Sequence, residues 1–187
     1  MDFQVFEKIK RLTIIAMFSD DYLMEKLVLK GGNLIDIIFK IEFRGSLDVD
    51  FSISGDFEET KLPEIESKIR TLLINTFLTE GFTVFDIKFT REPLLQHAYL
   101  PNLWGSYIID FNLVETERFD LYLSGDSGVN IYRSKIDISK FKYCDTKAAV
   151  TLDDYTIYIY TPEMVIFEKL RAICQQMEEC EQVCLMT

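Results

Sequence analysis

The chain has 187 residues, a net charge of −11 and 48% hydrophobic residues, enough material for one packed domain or one plus a fragment. Only 8 Gly and 4 Pro exclude a low-complexity or disordered chain, and no run of about 18 apolar residues or basic-then-apolar start marks a spanning helix or signal peptide. A cytoplasmic protein with no membrane partner is therefore expected, whose acidic surface disfavours broad contact with a phosphate backbone and leaves RNA a locally basic groove or a basic partner segment.

Residues 2–17 carry Val5, Ile9, Leu12 and Ala16 at the spacing of an amphipathic helix. Leu27-Val28-Leu29 reads as a short strand running into Lys30-Gly31-Gly32-Asn33, a glycine turn. A helix over 34–40 follows, with Asn33 near its N-terminal end. Residues 47–53 alternate: Leu47, Val49, Phe51 and Ile53 point one way, and Asp48, Asp50 and Ser52 the other. Pro63 opens a helix that Gly81 closes, with Ile65, Ile69, Leu72 and Thr76 as its stripe, flanked by Leu73 and Phe77.

Residues 82–91 alternate with Phe85, Ile87 and Phe89 on one side. Residues 104–114 alternate again, with Tyr107, Ile109, Phe111 and Leu113 inward and Asp110 among the residues facing out. Between them lies a loop with Pro93 and Pro101; His97, the chain's one histidine, sits there without an evident partner. Residues 115–150 read as short helices and turns around Gly125 and Gly128. Asp153-Asp154 reads as a turn before a strand over 156–160, and a helix with Ile166, Leu170, Ile173 and Met177 as its stripe begins at Pro162. This order predicts a mixed α/β (α+β) sheet with helices against it, organised as a core over 1–161 and a C-terminal helix over 162–187. Cys144, Cys174, Cys180 and Cys184 lack the paired spacing of a zinc site and read as reduced, structurally ordinary thiols. Trp104 and the other aromatic residues read as core, and Glu178, Glu179 and Glu181 as a solvated helix face.

Chemistry concentrates on Asp48 and Asp50. Two carboxylates at i, i+2 on one strand face repel each other, and each favours protonation unless a cation intervenes. Hard oxygen ligands on a rigid strand suit Mg²⁺. An isolated Asp-x-Asp occurs often by chance, and a solvated strand face explains it as well. The preceding glycine turn alters that balance. Paired glycines at a helix start let backbone N–H groups approach phosphate oxygens. Strand, glycine turn, helix and acidic strand come in the order a metal–triphosphate site needs.

The stretch from Leu27-Val-Leu-Lys-Gly-Gly-Asn-Leu through Arg44-Gly-Ser-Leu-Asp-Val-Asp-Phe-Ser resembles the signature of the AbiEii/AbiGii abortive-infection toxins, of the DNA-polymerase-beta-like nucleotidyltransferase superfamily. Arg44, Ser46, Asp48, Asp50 and Phe51 fall in place, whereas Asn33 stands where the family has a hydroxyl residue. The resemblance implies a nucleotidyltransferase fold, two Mg²⁺ ions (Mn²⁺ as the alternative) and a nucleoside triphosphate as substrate. It also implies a third carboxylate on a neighbouring strand. Asp110 is the first choice, from its polar-face position between Ile109 and Phe111; Asp86 and Glu115 compete.

Thr161-Pro-Glu-Met-Val-Ile-Phe-Glu-Lys-Leu-Arg-Ala172 resembles the family's Glu-Lys-Leu-Arg-Ala-like helix, which implies that Lys169 faces the nucleotide. The nucleotide-binding set is thus Lys30, Gly31, Gly32, Asn33, Arg44, Ser46 and Lys169, and the metal and catalytic set Asp48, Asp50 and Asp110. Lys30 and Arg44 have a second reading, as counter-charges to the two acids. Family members continue into an Arg-Asp-x-Tyr-Asp-Leu-like motif and a helical second domain, of which residues 162–187 would be the start. The implied activity is that of a toxin from a type IV toxin–antitoxin or phage-defence pair, with a cognate antitoxin and an RNA acceptor such as tRNA. Two rivals use the same residues: a small-molecule, antibiotic-type nucleotidyltransferase, and a non-catalytic nucleotide-binding module.

Overall fold

A computed structural model of the chain describes residues 3–31, 34, 47–92 and 105–175. Two helices open it, α1 (Phe3–Phe18) and α2 (Asp21–Lys26), the second capped by the Asp20 carboxylate, which accepts the Leu23 N–H at 3.1 Å. Then come β1 (Val28–Lys30), β2 (Asp48–Ser52), α3 (Leu62–Thr79), β3 (Phe82–Glu92) and β4 (Ser106–Glu115). The chain continues through α4 (Phe119–Leu123), β5 (Tyr132–Ser139), β6 (Ala148–Leu152), β7 (Tyr155–Ile159) and α5 (Pro162–Gln175).

The described strands form one seven-stranded sheet in the order β3-β4-β5-β2-β1-β7-β6. β2 pairs with β5 in parallel, as β1 does with β7, and the other neighbours are antiparallel. This is the mixed α/β sheet with helices that the pattern of elements predicts. One face is apolar. Val49 and Phe51 of β2, Ile136 and Ile138 of β5, and Tyr107, Ile109 and Phe111 of β4 pack there with Ile9 of α1 and Ile65, Ile69, Leu73 and Phe77 of α3. Removing these side chains from water is the main driving force for the fold. The other face carries the alternate residues of the same strands, and the acids with them.

Three expectations change. Residues 115–150 hold two strands, β5 and β6, rather than only short helices and turns. The alternation of β5 is interrupted because Ser134 occupies a core-facing position, where its hydroxyl donates to the Leu47 carbonyl at 2.8 Å. In β3 a bulge between Phe85 and Lys88, with Asp86 at φ 53, puts Phe85 and Phe89 on opposite faces. Phe85 opposes Asn112, and Phe89 opposes Ile109. The stripe Ile166, Leu170 and Ile173 of α5 is exposed, because the helix turns Met164 and Glu168 toward the sheet instead.

Gly81 does close α3, at φ 82, and Asp153-Asp154 does form the turn between β6 and β7. The helix expected over 34–40 lies outside the described residues apart from Leu34, which is helical and buried. His97, Trp104, Met177, Cys180 and Cys184, and the Glu178, Glu179 and Glu181 face, also lie outside them.

Candidate active site

The strand registers bring three charged residues into line. Lys30 of β1 opposes Asp50 of β2, and Asp50 opposes Asp137 of β5. All three stand on the face opposite the apolar core, on adjacent strands about 4.8 Å apart. Asp48 lies in the next row, where it opposes Lys135, which in turn opposes Asp110 of β4.

Asp110 thus sits on the expected strand and the expected face, but two strands away from Asp48, at about 10 Å with Lys135 between them. It is also exposed. The carboxylate that the fold places beside Asp50 is Asp137. Asp86 lies farther still, on edge strand β3, where its carboxylate accepts the Asn112 amide at 3.3 Å. Glu115 ends β4 and pairs with Arg118 at 3.1 Å.

Burial raises the Asp50 carboxyl above the ordinary carboxylate range. Lys30 opposes that shift, while Asp137, Asp48 and Glu168 add to it. Asp137 is raised for the same first reason, burial, against the pull of Lys30, Lys135 and a hydrogen bond from Ser139. The Lys30 charge thus acts on both acids of the row. Its ammonium donates to Ser139 Oγ at 3.0 Å and pairs with Glu168 at 3.2 Å, so it ties β1, β5 and α5 together.

Gly31 follows directly at φ 78, a backbone region that L side chains rarely adopt. A Cβ there would stand 2.5 Å from Asp50 Oδ2, so the turn and the acid share one space. Of the remaining candidates, Gly32, Asn33, Arg44 and Ser46 lie outside the described residues. Lys169 is exposed on α5, and its neighbour Glu168 is the residue that reaches the sheet. Asp137 and Glu168 escaped the sequence reading. The alternation of Lys135, Asp137 and Ser139 with Ile136 and Ile138 was the available signal for the first.

Among the described residues no three acids, histidines or cysteines converge into a ready-made metal cage. Two raised carboxylates side by side, offset by an ammonium, do suit a hard cation that completes its shell with water and phosphate oxygens. Asp50 and Asp137 are the residues that would hold it, with exposed Asp48 in the adjacent row.

The family model of the nucleotidyl transferase AbiEii toxin of type IV toxin–antitoxin systems matches residues 13–182. The chain belongs to the AbiEii family. Two crystal structures from Helicobacter pylori share the fold of this family member. One is described as a candidate nucleotidyltransferase, with a TM-score of 0.53 and 15% identity over 89% of this chain and 57% of that one. The other is JHP933, with a TM-score of 0.54 and 15% identity over 90% of this chain and 56% of that one. The chain therefore spans a little over half the length of each. No curated protein matches it by sequence. Family and fold agree with the resemblance carried by residues 27–53.

Proposed function

We propose that this AbiEii-family chain transfers a nucleoside monophosphate from a nucleoside triphosphate to an acceptor hydroxyl, at the row formed by Asp50 and Asp137. The observation that carries the reading is the register of those two acids beside the Gly31 turn. Backbone N–H groups of a glycine turn bind phosphate oxygens, and here the turn abuts Asp50. In the reaction the acceptor oxygen bonds to the α-phosphorus and the α–β phosphoanhydride bond breaks, releasing pyrophosphate.

The acceptor proton passes to a carboxylate, for which Asp137 is placed, on the strand beside Asp50. Asp50 and Asp48 orient the triphosphate end. A bound Mg²⁺ supplies the charge neutralisation that phosphoryl transfer requires. Lys30 offsets the acids while the site is empty of phosphate, then becomes available to it. The acceptor in this reading is RNA, of the tRNA class, and the chain is the toxin of a pair with a cognate antitoxin.

The test is incubation of the protein with Mg²⁺, each labelled triphosphate in turn and total tRNA. Wild-type protein labels tRNA; Asp50→Asn and Asp137→Asn do not, while Asp110→Asn does. Equal labelling by wild type and both row variants would remove the acids from the chemistry. Labelling of small-molecule acceptors alone would reassign the acceptor.

A further inference from the structure

Beside the acid row lies a cavity of about 430 Å³, between the loop that leaves β5 and helix α5. The loop is hung on the outgoing end of β2: the Lys142 N–H donates to the Ile53 carbonyl at 2.9 Å, and the Phe141 N–H to Gly55 at 3.2 Å. Phe141 sits at φ 55, an uncommon conformation for a bulky residue, and strain of this kind gathers at binding sites. Glu168 lines the cavity and also holds Lys30, so cavity and acid row share a wall.

Two features of the lining call for a ligand. Lys142 and Arg171 both line the cavity, where Glu163 and Glu168 also stand, and the charge of Arg171 bears on Lys142 more strongly than that of Glu168. The two cations repel each other, and an anionic ligand between them removes that repulsion. Burial lowers the Lys142 ammonium first, and the neighbouring charges of Arg171 and Lys30 lower it further. The second feature is aromatic. Tyr143 and Phe167 line the same cavity while remaining 64% and 71% exposed. Exposed rings in a concave site are a stacking surface for a flat, apolar group. The volume falls within the ordinary range for small-ligand pockets, roughly 300–1,000 Å³.

We propose that this cavity takes the nucleoside of the triphosphate whose phosphates lie on the acid row, with the base against Tyr143 and Phe167 and with Lys142 and Arg171 on the phosphate side. The proposal rests on the function given above and adds to it the site of base recognition. The neighbouring cations and the exposed rings of the lining match the two ends of one nucleotide. Neither residue pair lies in the glycine turn or among the acids.

Calorimetric titration separates the two halves. Each of ATP, GTP, CTP and UTP, and inorganic tripolyphosphate, is titrated with Mg²⁺ into wild type, Tyr143→Ala, Phe167→Ala and Asp50→Asn. Both aromatic side chains are exposed, so their removal leaves the fold intact. Wild type is expected to bind at least one nucleotide more tightly than tripolyphosphate. Each aromatic variant then loses roughly 5- to 100-fold in affinity for that nucleotide and none for tripolyphosphate. Asp50→Asn weakens both ligands. Nucleotide binding unchanged in both aromatic variants overturns the pocket and leaves the acid row standing. So does a wild type that binds tripolyphosphate as tightly as every nucleotide. A wild type that binds neither ligand overturns pocket and acid row together.

Discussion

Asp50 and Asp137 are register partners on parallel neighbouring strands, and Lys30 stands on the far side of Asp50 in the same row. The fold thus holds two carboxylates together against their mutual repulsion and provides one ammonium to offset them.

Such an arrangement costs stability in the absence of a cation, and Asn in place of either acid relieves it. Asp50→Asn and Asp137→Asn should each raise Tm by about 2–4 °C, the shift that ~1 kcal/mol produces in a domain of this size. Each should lower label transfer at least about a hundredfold. The pH dependence has a definite sign. Both carboxyls hold their protons more tightly in the folded chain than in the unfolded one. Their contribution to stability therefore falls as pH climbs from the ordinary carboxylate value through the raised one. Melting curves across pH 4–8 should show a steeper decline for wild type than for the double Asn variant. Added Mg²⁺ should raise the wild-type Tm and leave that of the double variant unchanged.

Gly31→Ala should abolish activity more completely than it destabilises the chain. The added methyl occupies the space of Asp50 Oδ2, in a backbone region unfavourable to alanine by about 1 kcal/mol. Both effects displace the acid. Melting temperature and label transfer measured side by side test this, and a variant with wild-type transfer would contradict the packing of the turn against Asp50.

The legibility of these parts differed for physical reasons. β2 was readable because every core-facing position from Leu47 to Ile53 is apolar and every second residue is polar. Its sheet neighbour β5 was not, because Ser134 takes a core position by bonding the Leu47 carbonyl. Asp137 is hidden with it, whereas Asp110 lies on the well-patterned strand β4. Alternation identifies a strand and its polar face, but it does not say which strand lies beside β2. On α5 the apolar spacing suggested a buried stripe, whereas the Lys30–Glu168 pair and Met164 rotate that stripe outward.

The β6–β7 turn offers a stabilising change. Asp153 and Asp154 have φ 46 and φ 68 between the paired residues Leu152 and Tyr155, a two-residue hairpin turn that favours glycine. Asp153 pairs with Arg11, so it is Asp154 that can be replaced. Asp154→Gly should stabilise by roughly 0.5–1 kcal/mol, and Asp154→Val should do the reverse. Urea denaturation of the two variants reads both signs.

Cys144 and Cys174 should differ in reactivity. Burial pushes the Cys144 thiol up to about 11, so at pH 8 only about one part in a thousand is thiolate. Cys174 is exposed. Iodoacetamide at pH 8, followed by peptide mass spectrometry, should label Cys174 at least about tenfold faster. Equal rates would mean that the loop after β5 opens readily.

The Lys30–Glu168 pair also sets an order of events during synthesis. Asp50 leaves the ribosome early, Asp137 much later, and the helix that anchors Lys30 later still. A nascent or prematurely ended chain can lay down β1 and β2, yet it lacks the neighbour that completes the acid row and the carboxylate that steadies its counter-charge. The acid row is thus complete only once β5 and α5 have been made, and a chain broken before them lacks both its second carboxylate and the partner of Lys30.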